Sequence, residues 1–177
     1  MIKKACFTLI GLFFFSVAFA QEKYMTKSGK IELFADDDHI KAITRSANVL
    51  LDKKTGEVNF VVLIKGFEFS QAGMQEKFNK LVMESETFPS SQFKGALVNY
   101  SAIDYSKLGS YSGKVKGILT MHGVSRPIET DYSMKVDKAG VNVSCTITVK
   151  MSDYNIKSPI EEDAVNIKIN CVLEEMK

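Results

Sequence analysis

Apolar and polar residues alternate with period two over most of this chain, the pattern of strands that bury one face. Residues 29–35 predict a first strand and 43–51 a second, with Ala47, Val49 and Leu51 on one face. The polar run 52–56 closes on Gly56 and predicts a hairpin turn. Residues 58–69 predict a long third strand in which Phe60, Val62 and Ile64 share a face, and Gly66 marks an expected bulge that re-aims Phe67 and Phe69. Strand resumes over 92–103 with Phe93 and Leu97 together, and over 111–122 with Val115, Leu119 and Met121 together. A turn is expected at 123–127, then Ile128, Thr130, Tyr132, Met134 and Val136 on one face, then a hairpin at 137–140. Val141, Val143, Cys145, Ile147, Val149 and Met151 share the next face. After a loop over 152–163, Val165, Ile167, Ile169, Cys171 and Leu173 share the last. About eight strands with hairpin-length connections fit a closed antiparallel barrel or a tightly curved sheet, which leaves few exposed edges.

One stretch breaks the period. Within residues 71–86, Met74, Phe78, Leu81 and Val82 fall at the i, i+4, i+7, i+8 spacing of one helical face. Glu76, Lys77, Asn79, Lys80 and Glu84 fill the rest of the turn. A single amphipathic helix in an all-β chain lies over a sheet or near the mouth of a barrel, either as a lid of core or as the gate of an apolar cavity. Aromatic side chains gather beside it: Phe67, Phe69, Phe78 and Phe88 are all here, as a ligand cavity or a local core requires.

The first 20 residues have the form of a secretory signal peptide: Lys3 and Lys4, a short apolar run from 6 to 15, and Ala18-Phe19-Ala20 as cleavage site. The run is too short to span a bilayer, so the chain is expected to be exported, to the periplasm or beyond, and not to be an integral membrane protein. Residues 21–177 then form one domain. Of 23 basic residues the leader carries two, leaving 21 against 21 acidic. A neutral mature chain lacks the basic face that nucleic acid needs and the polybasic grip that anionic membranes need.

Candidate chemistry is sparse. Asp36, Asp37, Asp38 and His39 are consecutive, so in an extended segment they point alternately away from each other; a solvated turn is expected there and no metal site. His39 and His122 are the only histidines. Neither has a catalytic partner by spacing, and His122, at a strand-to-turn junction, is expected to bond its turn. No nucleophile elbow and no C-x-x-C occurs. No cofactor is expected. An exported location permits a disulfide. Matching the strand ends Met151 and Val165 in an antiparallel hairpin sets Cys145 opposite Cys171 on the inner face, either bonded or packed as small apolar residues.

Three segments together resemble the YceI-like family: MQEKFNKLVMESETFPSSQFKG at 74–95, GILTMHGVSRPIE at 117–129 and VKMSDYNIKSP at 149–159. They occur in the family's order, and the similarity spans roughly 23–175. Lys77 stands where related sequences often carry His. The resemblance implies an eight-stranded antiparallel barrel of lipocalin-like shape, with the helix near its mouth. It also implies a non-enzymatic role, with an isoprenoid-like or other long-chain amphiphile held in the lumen. A true lipocalin is disfavoured, because the chain has no Trp for a G-x-W motif.

Expected lumen residues are Phe60, Val62, Phe67, Phe69, Met74 and Phe78, joined by Leu81, Phe93, Leu119, Met121, Tyr132 and Met134. The competing reading is a barrel filled by its own side chains that serves as a structural or protein-interaction module.

Overall fold

The computed structural model describes residues 22–35, 40–157 and 163–176. The predicted signal peptide, the acidic turn 36–39 and the centre of the 152–163 loop lie outside them. The elements are β1 (Lys23–Ala35), β2 (Ile40–Asp52), β3 (Glu57–Leu63), β4 (Glu68–Phe69), α1 (Ala72–Lys77), β5 (Ser90–Leu97), β6 (Gly109–Met121), β7 (Val124–Asp137), β8 (Gly140–Lys150) and β9 (Ala164–Glu175). Neighbouring strands run in the order β1-β9-β8-β7-β6-β5-β3-β2, and β2 pairs back onto β1. This closes an eight-stranded antiparallel barrel, and the two-residue β4 adds to β2 at the rim.

The segment between β3 and β5 covers one end of the barrel, here the upper end. The lower end carries the short turns after β2 and β7 and the loop between β5 and β6. At that end Tyr24 stacks on Tyr105 with ring centroids 5.5 Å apart. Leu97, Val136 and Val141 are buried in the same core, with Tyr100 and Tyr111 packed against it.

Several expectations are corrected in detail. β1 begins six residues before the predicted start, at Lys23. Its register against β2 shifts between Thr26 and Gly29 and again between Gly29 and Ile31. These bulges break the alternation that would have marked residues 23–28 as strand. The third strand stops at Leu63, and a 3₁₀ turn over Ile64–Gly66 replaces the predicted bulge. Here the chain leaves the barrel wall to begin the cover, with the Ile64 N–H donating to the Pro89 carbonyl at 2.9 Å. β5 ends at Leu97 and not at 103, because Asn99 takes a left-handed conformation and starts a second 3₁₀ turn.

The turn expected at 123–127 is only His122-Gly123. Both residues have positive φ, 49° and 75°, as a two-residue hairpin turn matched to strand twist requires. Pro127 therefore lies inside β7, opposite Ile118.

The helix is shorter than predicted. After α1 it widens into a π turn over Phe78–Val82, closed by Met83 N–H donating to the Phe78 carbonyl at 2.8 Å. The extra residue per turn shifts the phase of everything after it. Phe78, Val82 and Met83 pack against the core, and Leu81, expected inside, is 71% exposed.

The β8–β9 register is also corrected. Val149 pairs with Val165, so Cys145 faces Ile169 and Cys171 faces Val143. Met151 has left the strand for a 3₁₀ turn, so it cannot serve as the strand end that would set the two cysteines opposite. They are diagonal neighbours on one inner face, and both are free thiols.

Candidate functional site

The alternation of the strands sends one apolar row per strand into the barrel, and these rows do not meet at its axis. They leave a cavity of about 190 Å³. For scale, an apolar cavity of about 150 Å³ in another protein stays dry and takes up benzene. Nine of the twelve predicted lumen residues line the cavity: Phe60, Val62, Phe67 and Phe78 toward the upper end, with Phe93, Leu119, Met121, Tyr132 and Met134 around the wall. Phe69 and Met74 are not among them. They line a second cavity of about 250 Å³ between α1 and the rims of β1 and β2. Leu81 lines neither.

Leu33, Phe78, Val82, Met151 and Val165 line both cavities and stand between them. Lys77 is the only charged side chain among the described residues lining the second one. The aromatic cluster that roofs this end is tight: the Phe78 ring lies 5.8 Å from Phe67 and 5.0 Å from Phe69.

The lumen residues that sequence reasoning missed lie mainly on β8 and β9. Val143, Cys145, Ile147, Val165, Ile167 and Ile169 all line the cavity. They are only half-buried although they point inward, because the surface they keep faces the lumen. The signal was present, since these residues share faces by simple alternation. What the alternation did not reveal was that this side of the barrel borders the empty space.

Polar groups at the lumen are few. Ser91 is 8% exposed, and its hydroxyl has no hydrogen-bond partner among the described residues. An unsatisfied buried hydroxyl costs about 1–3 kcal/mol, so a ligand carrying a hydrogen-bonding group near it would gain that much. Burial pushes the Cys145 thiol up to about 11 and the Cys171 thiol up to about 12. Both are therefore neutral at ordinary pH and act as apolar lining.

His122 sits outside the lumen, between the cover and the turn after β8. Its Nδ1 is 3.3 Å from the Tyr154 carbonyl oxygen and its Nε2 is 3.9 Å from a Glu84 carboxylate oxygen. Its ring lies 4.3 Å from that of Phe88. It thus joins three separate segments, where the sequence predicted a bond within its own turn.

Among the described residues no cluster of metal-ligating side chains occurs, and no helix is long and apolar enough to cross a membrane.

Comparisons with known proteins agree with this architecture. No curated protein sequence matches the chain. Solved structures do. A polyisoprenoid binding domain from Saccharophagus degradans implicated in plant cell wall breakdown superposes with a TM-score of 0.75 at 12% identity, over 88% of this chain and 99% of that one. BcnA from Burkholderia cenocepacia gives 0.66 at 17% identity, over 82% and 94%. A YCEI protein from Campylobacter jejuni gives 0.56 at 18% identity, over 99% and 94%. The YceI-like domain matches residues 16–173, and the chain belongs to the YceI-like family.

Proposed function

We propose that this protein is an exported carrier or scavenger that holds the chain of an isoprenoid-like or other long-chain amphiphile in its lumen, without making or breaking a bond. The observation that carries the reading is the lining itself: inward-pointing aliphatic and aromatic side chains that leave space between them. Burying an apolar chain gains about 0.8 kcal/mol per CH₂. Ten buried carbons supply about 8 kcal/mol before ordering costs. The Saccharophagus relative, described as a polyisoprenoid binding domain, supports the same class of ligand. Export rests on the leader-like residues 1–20.

The test is native mass spectrometry, with organic extraction, of protein purified from the exported fraction without detergent. A stoichiometric lipid in the extract is expected, and its mass names the ligand. Protein that is empty and also fails to take up a long-chain fluorescent fatty acid would replace this reading with that of a self-filled interaction module.

A further inference from the structure

The barrel wall is not zipped all the way round. β7 and β8 pair from Asp137 opposite Gly140 up to Tyr132 opposite Cys145, and there the ladder stops. β7 nevertheless continues upward to Val124 and β8 to Lys150. Among the described residues the upper half of β7 is laddered to β6 alone, and that of β8 to β9 alone. Among the described residues two hydrogen bonds from β7 span the gap. At its lower end Thr130 Oγ1 donates to the Thr146 carbonyl at 3.1 Å. At its upper end Arg126 Nε donates to the Asp153 carbonyl, just beyond β8, at 3.0 Å.

Two further observations mark this seam as an opening. Proline is tolerated in sheets at edges, because it cannot donate to a ladder, and Pro127 lies within the part of β7 that has no β8 partner. Ile128, Thr130 and Ile147 flank the seam, line the lumen and are only half-buried. Among the described residues the ladder gives the backbone groups on these two facing edges no partner from the opposite strand, and such groups take water or another polar partner.

Among the described residues both ends of the barrel are covered. The upper end lies under the Phe67–Phe69–Phe78 cluster and the Phe88–His122 contact, and the lower end under the tyrosine-rich core.

We propose that the upper β7–β8 seam is a lateral port: a single-chain amphiphile slides its apolar chain through it into the lumen and leaves its hydrogen-bonding head in the seam. There the unpaired edge N–H and C=O groups and the guanidinium of Arg126 bond the head. This rests on the binding reading above and adds where the ligand passes and which part of it stays outside.

Glu129 and Thr148 are exposed, and they would oppose each other if the ladder continued at its register. In a Glu129→Cys/Thr148→Cys variant, a short cleavable cross-linker with two thiol-reactive ends closes the seam at neutral pH, where the buried native thiols are protonated. Uptake of cis-parinaric acid is then followed by stopped-flow fluorescence. Closing the seam should slow both uptake and release about ten-fold or more, weaken equilibrium binding because the head loses its place between the edges, and be reversed on cleavage. A Lys65→Cys/Glu86→Cys staple, across a contact within the cover, should leave both rates unchanged.

Equal rates with the seam open and closed, or slowing by the cover staple alone, would overturn the port and leave the binding reading intact. No uptake by the unlinked protein would remove both. Hydrogen exchange on the unaltered chain gives a check independent of any variant. Amides on the facing edges of 125–131 and 146–150 should exchange about a hundred-fold faster than those paired in 132–137; equal protection would show the seam to be closed.

Discussion

Ile147 points into the lumen and is only half-buried, so the space beside it can receive a larger side chain. In a well-filled core, Ile147→Trp would strain the structure by about 1–3 kcal/mol. Here it should leave the thermal midpoint unchanged or raised and remove most of the uptake of a fatty acid probe. Because the chain has no other Trp, the same variant reports lumen polarity by its emission. Strong destabilisation with uptake retained would mean that the lumen lies elsewhere. The contrasting residue is Leu81, where a polar replacement should change nothing measurable, because its side chain already meets solvent.

The pairing of β5 with β6 leaves no room for a side chain at one point of the barrel wall. Gly95 faces Gly117 across the ladder, and the Phe93 ring lies over both. A Cβ on Gly117 would stand 2.7 Å from that ring and against the Lys94 carbonyl, and one on Gly95 would stand 2.8 Å from the Gly117 Cα. Gly117→Ala should therefore cost about 2 kcal/mol or more, read as a lowered urea midpoint with an unchanged slope. A cost under about 0.5 kcal/mol would show that the two strands can part there without penalty.

How much of an element the sequence revealed depended on its regularity. β6 to β9 alternate without interruption, and their inner faces were legible to the residue. The paired bulges of β1 and β2, the 3₁₀ turn at Ile64 and the π turn at Phe78 each insert or remove one residue. In a strand a single-residue slip reverses every side chain beyond it, and in a helix it rotates them by about 100°. That is why Leu81 was misplaced and residues 23–28 were passed over. The register of Cys145 and Cys171 failed for a related reason: the pairing was anchored on Met151, which looks like strand by alternation but belongs to the turn that follows. The β7–β8 seam left a single trace in the sequence, Pro127.

The whole barrel should be sensitive to alkali. An exposed thiol loses its proton near 9, whereas burial holds Cys145 to about 11 and Cys171 to about 12. Below 9 the folded and unfolded thiols are alike protonated, and the stability they contribute is fully present. As pH rises past 9 the unfolded chain alone releases these protons, so stability falls until the folded thiols also ionise. The hydroxyls of Tyr24, Tyr132 and Tyr154, likewise raised by burial, extend the loss above 10. The urea midpoint should fall between pH 8.5 and 10.5, and Cys145→Val with Cys171→Ala should make the fall shallower. A midpoint flat across that range would show that the thiols are solvated.

The stacked tyrosines at the lower end give the lumen a floor. A tube with a floor is a gauge as well as a container. Chains shorter than its depth leave apolar wall uncovered, and each added carbon tightens binding. Once the chain end meets the Tyr24–Tyr105 floor, further carbons stay in water and add nothing. Affinity across a homologous series should climb steadily and then level off, and the chain length at the break would measure the depth of the barrel without a crystal.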